Sequence, residues 1–354
     1  MRVLQVSPSM GAHCGIAVFA DDIAKGLTAE GCHVETVTGV DPVETDTADV
    51  VLLQHHEELM SDADVLRILH GTRRPVVVFK HSAGVDVPAA EVTGFVAMSR
   101  GLLPAPGGVP TLCFPHPATT PSHLSDRTSL RRRFSLPVEA RIVGTSGFLK
   151  FDRESVPLLR ELLPRAERLD WVVHLLTSPW RLPSPGLLEQ LAELGERHPG
   201  RLIHVHEHLD AEELNLRLQA CDLLWCWTRA PSAHYASGVV SRHYASGSRM
   251  VVARKHQHGH VLGLPNVVPA AATLPGFVDD LAAEMARRPT SRHDPRPVSW
   301  EPHMASLARF LRSVTAARAT GPGDGPTAGK SSHQRLDDTA TAHGVLGEPG
   351  LEAP

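Results

Sequence analysis

The chain has 354 residues, 42% of them hydrophobic, enough for two core-bearing domains of ordinary size. Its net charge of −4 gives no electrostatic case for nucleic acid. No apolar run approaches the roughly 18–20 residues of a membrane span, and "MRVLQVSPSMG" lacks the charged-then-apolar pattern of a secretion signal. The expectation is a cytoplasmic protein without an integral membrane segment. Its five scattered cysteines form no CxxC pair, which suits a reducing compartment.

Short apolar runs alternate with helix-period segments along the chain. Val3–Val6, Val34–Val37, Val50–Leu53, Val76–Phe79 and Phe95–Met98 read as buried strands. Between the first two, Ala17, Ala20, Ile23, Ala24 and Leu27 share one helical face, and Gly31 is the expected stop. Residues 114–140 break the pattern with prolines and a basic cluster. A second series follows: strands at Arg141–Thr145, Val172–Leu176, Leu202–Val205, Leu223–Trp227 and Met250–Ala253, with helices near 154–166, 186–197 and 211–220. Continuous apolar strands joined by helices imply parallel sheets covered on both faces, an α/β chain. A last amphipathic helix is expected over about 302–317, followed by a Gly/Pro-rich tail that reads as disordered. Within that tail "GPTAGKSS" resembles the end of a phosphate loop, but no strand precedes it and no helix follows.

The stretch "SAHYASGVVSRHYASGSRMVVA" (232–253) spells HYASG twice. The copies lie nine residues apart, two and a half helical turns, so they face opposite ways. Their different contexts give them different tasks: Ser237-Gly238 opens a short helix, and Ser246-Gly247 closes it before the next strand.

Several segments, taken in order, resemble the family-four-like glycosyltransferases of the GT-B fold. These are "MGAHCGIAVFADDIAKGL", "DVVLLQHHEEL", "RPVVVFKHSAG", "IVGTSGFLKFDRESVPLLRELL", "HLDAEELNLRLQACDLLWCW", "SGVVSRHYASGSRMVVA" and "VSWEPHMASLARFL". The resemblance implies two Rossmann-like domains facing across a cleft. It assigns 1–135 to an acceptor-binding domain, 136–300 to a nucleotide-sugar-binding domain, 301–318 to a helix crossing back to the first domain, and 319–354 to the tail. It further implies transfer of a sugar from a nucleotide-diphosphate sugar to a small-molecule acceptor, such as a natural-product scaffold. Transfer would proceed with retention, with no metal and no tightly bound cofactor.

A departing diphosphate needs fixed positive charge and backbone N–H donors. Loop Gly11–Gly15, including Cys14, leads into a helix N-terminus that favours anions. Gly147 ends a strand six residues before Arg153, at the family's diphosphate-binding basic position. The family's arginine after that glycine is Phe148 here, so Lys150 is the substitute cation. Ser237, Gly238 and Val239 are expected to line the phosphates through their amides. The family's two glutamates eight positions apart fall on His234 and Arg242, neither of which accepts from two hydroxyls as a carboxylate does. His81, at a strand end, is the candidate partner of the transferred sugar, and His55, His56 and Glu57 lie on the neighbouring strand end; Glu58 beside them is a further acceptor contact. His204, His206 and His208 alternate, as do His256, His258 and His260, with His208 a further substrate contact. No cysteine or carboxylate stands around them at metal-site spacing, so no metal is expected. Trp225 and Trp227 read as core. Two other functions suit the same fold: epimerisation or hydrolysis of a sugar nucleotide with Glu57 or Asp152 as base, and non-catalytic binding of a sugar nucleotide.

Overall fold

A computed structural model describes residues 1–9, 15–38, 47–57, 59–82, 91–99, 102–104, 108–149, 155–179, 186–229, 236–287 and 292–319. They form two six-stranded sheets in which every paired strand is parallel. The first holds β1 (Arg2–Val6), β2 (His33–Val37), β3 (Val50–His55), β4 (Val76–Lys80), β5 (Gly94–Ala97) and β6 (Thr111–Cys113), in the order β2-β1-β3-β4-β5-β6. The second holds β7 (Arg141–Phe148), β8 (Trp171–Ser178), β9 (Leu202–His206), β10 (Leu223–Cys226), β11 (Arg249–Ala253) and β12 (Val267–Ala270), in the order β12-β11-β10-β7-β8-β9. Strand order reverses between β1 and β3, and again between β7 and β10. In open α/β sheets the crevices beyond the strand ends at such points are where ligands bind.

Period-two alternation sorts the first lobe's core. Val50 and Leu52 of β3 pack on the face that carries α1 (Gly15–Ala29), while Val51 and Leu53 pack on the opposite face with Val65 and Ile68 of α2 (Asp62–Gly71). The expected apolar stripe of α1 is buried at Ala17, Ala20, Ile23 and Leu27, and Gly31 follows the helix at φ 77°. Helix α2 starts at a Ser61/Asp64 capping box, both halves of which are made.

The last helix, α9 (Trp300–Ala319), returns to the first lobe. Met304, Leu307, Ala308, Leu311 and Val314 recur at helical spacing and are buried with Phe19, Ile23 and Leu27 of α1. Each of the larger side chains contributes about 1.5–3 kcal/mol by leaving water. The GT-B expectation of a crossing helix is met. The tail beyond 319, with its phosphate-loop-like stretch, lies outside the described residues.

The second lobe carries α4 (Ser155–Arg168), α5 (Leu187–Arg197), α6 (Ala211–Gln219), α7 (Gly238–Ala245) and α8 (Leu274–Ala286). The Pro-rich segment between the sheets is not merely a linker. It holds α3 (Arg127–Arg133), capped by Asp126, and its basic cluster is tied to the second sheet. The Arg131 side chain is 8% exposed and donates to Asp222, 2.5 Å away, and to the carbonyls of Val138, Ala140 and Ala220. Asp222 also pairs with Arg127 at 3.1 Å and accepts from the Ile142 amide. Asp222→Ala would leave that guanidinium buried without its counter-charge, so it should lower unfolding stability by about 3–5 kcal/mol. Urea denaturation checks this, and a loss under about 1 kcal/mol would contradict it.

Candidate functional site

The carboxyl ends of β7 and β8 and the start of α7 enclose a cavity of about 430 Å³. Ser146, Gly147 and Phe148 of β7, Thr177 and Ser178 of β8, Glu207, Leu214, Val239 and Arg242 line it. Across β7, a second cavity of about 390 Å³ includes Ser146–Phe148 and the two tryptophans. Trp225 and Trp227 are core residues as expected, 3% and 7% exposed, yet each also borders that cavity.

Helix α7 begins where the sequence places it. The first amides of any helix lack acceptors inside it, so Gly238 and Val239 present N–H groups at the positive end of the helix dipole. Ser237 makes no side-chain cap. A Cβ at Gly238 would lie 2.5 Å from Nε2 of His116, so a glycine is what lets the segment between the sheets close onto this helix. At the other end Gly247 adopts φ 73°, left-handed as a helix-closing residue, and a Cβ there would lie 2.6 Å from Leu124. The two HYASG copies therefore serve opposite ends of one helix.

The Ser146 position is set by a buried histidine. The Ser146 amide, which can only donate, bonds to Nε2 of His243 at 3.0 Å, so that nitrogen carries the lone pair. Nδ1 then bears the proton and donates to Sγ of Cys226 at 2.9 Å. Strand ends β7 and β10, flanking the switch point, are thus cross-linked through α7.

On the facing lobe, the state of His81 follows from a fixed amide chain. Gln5 donates through Nε2 to the Ala20 carbonyl (2.9 Å), so its Oε1 accepts from Nε2 of Gln54 (2.9 Å). Oε1 of Gln54 therefore accepts from Nε2–H of His81 (2.7 Å), leaving Nδ1 as an acceptor. The ring stacks on Phe79 (5.1 Å, 17°) and meets Phe19 edge-on (5.3 Å). Burial, with His116, His56 and His55 nearby, lowers its pKa to about 3, so it stays neutral at pH 7.

Between the lobes lies a cavity of about 590 Å³. It is bordered by Gly15, Phe19 and Asp22 of α1, His116–Thr119, the Leu214/Asn215 face of α6, Arg242 and Trp300. Leu214 and Arg242 belong to this cavity and to the strand-end cavity alike. Burial lowers the pKa of Arg242, opposed by Asp22; burial raises that of Asp22, opposed by Lys25 and Arg242.

Of the residues singled out in the sequence, Gly147, Val239 and Arg242 converge on the strand-end cavity, with Ser237 and Gly238 at the helix start beside it. Gly15 opens α1 on the interlobe cavity. His81 is buried at the end of β4, and Glu57 is exposed and accepts from Ser82 at 3.2 Å. His55 is fully buried, so it has no surface to offer a ligand; His56 beside it is half-buried. His204 and His206 share a strand face as expected, both on the Thr177 hydroxyl at 2.8 and 2.7 Å, and His208 is exposed. Among the described residues no group of three His, Cys, Asp or Glu side chains can hold a metal ion. Gly11, Cys14, Glu58, Lys150, Asp152, Arg153 and His234 lie outside the described residues. Sequence pattern does not single out Gln5, Gln54, Asp22, His116, His243 or Trp300 as site residues. Only Gln54, beside two histidines at a strand end, carried a local signal.

No family model matches the sequence, and no curated protein matches it as a relative. Solved structures do resemble it in fold. Anabaena Alr3699/HepE, solved in complex with UDP and glucose, has 15% identity and a TM-score of 0.58, over 90% of this chain and 98% of that one. A glycosyltransferase from Rickettsia africae has 10% identity and a TM-score of 0.66, over 88% and 98%. Sucrose-phosphate synthase from Thermosynechococcus elongatus has 12% identity and a TM-score of 0.60, over 90% and 96%. The fold is therefore GT-B. Among the described residues no helix is long and apolar enough to cross a membrane.

Proposed function

We propose that the chain is a glycosyltransferase moving a sugar from a nucleoside-diphosphate donor to a small-molecule acceptor. The observation that carries this reading is that each sheet's strand ends carry one feature suited to a sugar nucleotide. One is a helix N-terminus and glycine-bearing strand end at the second sheet's switch point. The other is a neutral histidine acceptor, His81, at the strand ends of the first. The donor diphosphate lies on the Gly238 and Val239 amides beside Gly147, with Arg153 and Lys150 as the cations that meet its charge. His81 accepts a hydrogen bond through Nδ1 from a hydroxyl of the transferred sugar. The first lobe holds the acceptor near Glu57 and His56. That the neighbour HepE was solved with UDP and glucose supports a uridine nucleotide as the first donor to try.

In this account transfer proceeds with retention and without a metal. The bond from the sugar's anomeric carbon to the leaving phosphate breaks, the acceptor oxygen bonds to that carbon on the same face, and its proton passes to the phosphate. No protein nucleophile is required. Incubation with UDP-, GDP- and dTDP-sugars, with and without candidate acceptors, tests the reading. Nucleoside diphosphate should appear only when an acceptor is present, and His81→Ala should slow its release by about 10²-fold, the loss of a sugar contact made in the transition state. Release without acceptor would indicate hydrolysis instead, and tight binding without turnover a non-catalytic binder.

A further inference from the structure

We propose that Asp22 and Arg242, supplied by opposite lobes, together clamp the vicinal hydroxyls of the donor nucleotide's ribose. The first lobe would then build part of the donor site. This rests on the transferase reading above and adds to it a residue that fixes which nucleotides are accepted.

Asp22 and Arg242 line the same interlobe cavity, yet neither has a hydrogen-bond or ion-pair partner among the described residues. The lysine one turn along α1, Lys25, is committed to Asp21 at 2.5 Å. Two opposite charges thus face each other without contact. A cation placed between them would satisfy Asp22 and be repelled by Arg242, and an anion would do the reverse. Hydroxyl groups suit both, because each donates to a carboxylate and accepts from a guanidinium, and a carboxylate's two oxygens match two adjacent hydroxyls. Trp300 adds an indole Nε1–H in the same cavity, buried and without a partner among the described residues.

The position identifies which diol. Arg242 lies four residues after Gly238, about 6 Å along the helix axis. A long helical side chain leans back over the preceding turn, so its guanidinium lies beside the amides assigned to the diphosphate. The ribose is the part of a nucleoside diphosphate adjacent to that group. Arg242 is moreover a wall of the strand-end cavity as well as of the interlobe one, so a ligand seated in the first reaches Asp22 through the second. Both charges are partly desolvated in the open site, a cost that a bound diol relieves.

The test is calorimetric titration of the full chain with UDP, GDP, their 2′-deoxy counterparts and inorganic pyrophosphate. The same titrations are run on Asp22→Ala and, as a charge control outside the cavity, on Asp21→Ala. The wild-type chain should bind a ribonucleotide at least about tenfold tighter than its 2′-deoxy form, the effect of losing a hydrogen bond to a charged group. In Asp22→Ala that preference should fall to within about threefold while pyrophosphate affinity is kept, and Asp21→Ala should retain it. A wild-type chain without the preference, or an Asp22→Ala chain that keeps it, overturns the clamp and leaves the transferase reading standing. A wild-type chain that binds neither nucleotide nor pyrophosphate overturns both.

Discussion

Replacing Arg242 by Met is expected to weaken nucleoside-diphosphate binding by about ten- to hundredfold while leaving the unliganded chain as stable as before, or more so. The two halves of this result have one cause. The guanidinium is drawn partly out of water at the junction of two cavities, and no carboxylate or carbonyl among the described residues bonds to it. Burial costs the charge hydration that Asp22, near it but not bonded to it, returns only in part. Methionine has a similar length, fills the same space and carries no such penalty. A ligand that accepts from the guanidinium regains about 1.5–3 kcal/mol, and its loss gives the stated change in Kd. Titration and thermal unfolding of the same variant measure both halves. Unchanged nucleotide affinity would remove Arg242 from the site, and marked destabilisation would show a structural role instead.

Acidification from pH 7.5 to 5.5 is expected to destabilise the chain severely. Burial holds His81 and His260 at pKa values of about 3, and His116, His174 and His204 at about 4. In the unfolded chain each titrates near 6.5. Between those limits the unfolded state binds protons that the folded state refuses, so stability rises with pH. Their contribution is complete above about pH 6.5 and is lost steadily below it, each histidine adding a slope of up to about 1.4 kcal/mol per pH unit. Five such slopes remove up to about 7 kcal/mol per pH unit, so a chain with a total stability of about 5–15 kcal/mol is predicted to unfold between about pH 4 and 6. Urea midpoints at pH 7.5, 6.5 and 5.5 measure the slope, and His174→Leu, which removes one fully buried imidazole, should lessen it. A midpoint constant down to pH 4.5 would contradict the assignment of these rings as neutral and enclosed.

Much of the fold was legible because parallel strands buried on both faces must be continuously apolar, as at Val50–Leu53 and Val76–Phe79. The elements that sequence pattern did not single out are mostly short or peripheral, α8 excepted, whose Phe277, Val278, Leu281 and Met285 are core. Strand β6 has three residues, and β12 is a sheet-edge strand containing Pro269, which a central strand would not tolerate. Helix α3 was hidden by the prolines and the arginines around it, whose meaning depends on Asp222, some ninety residues later in the chain. The capping box before α2, Ser61 three residues ahead of Asp64, is a local signal that the sequence does carry.

The site divides the same way. Its second-lobe half follows local rules: a glycine at the end of β7, and a serine and glycine opening α7. Its other half is assembled by distance in sequence. Asp22 reads as the polar side of an ordinary amphipathic helix until α7 brings Arg242 opposite it. Gln5 and Gln54 read as single polar residues inside apolar strands until His81 completes their chain. No spacing rule joins residues 5, 54 and 81, because the parallel register does so.

The account as a whole turns on where the nucleotide lies. A crystal structure of the chain soaked with UDP measures that directly. The diphosphate is predicted within hydrogen-bond distance of the Gly238 and Val239 amides, beside Gly147, with the ribose directed toward Arg242. A nucleotide seated instead on the strand ends of the first sheet, with those two amides unengaged, would contradict it.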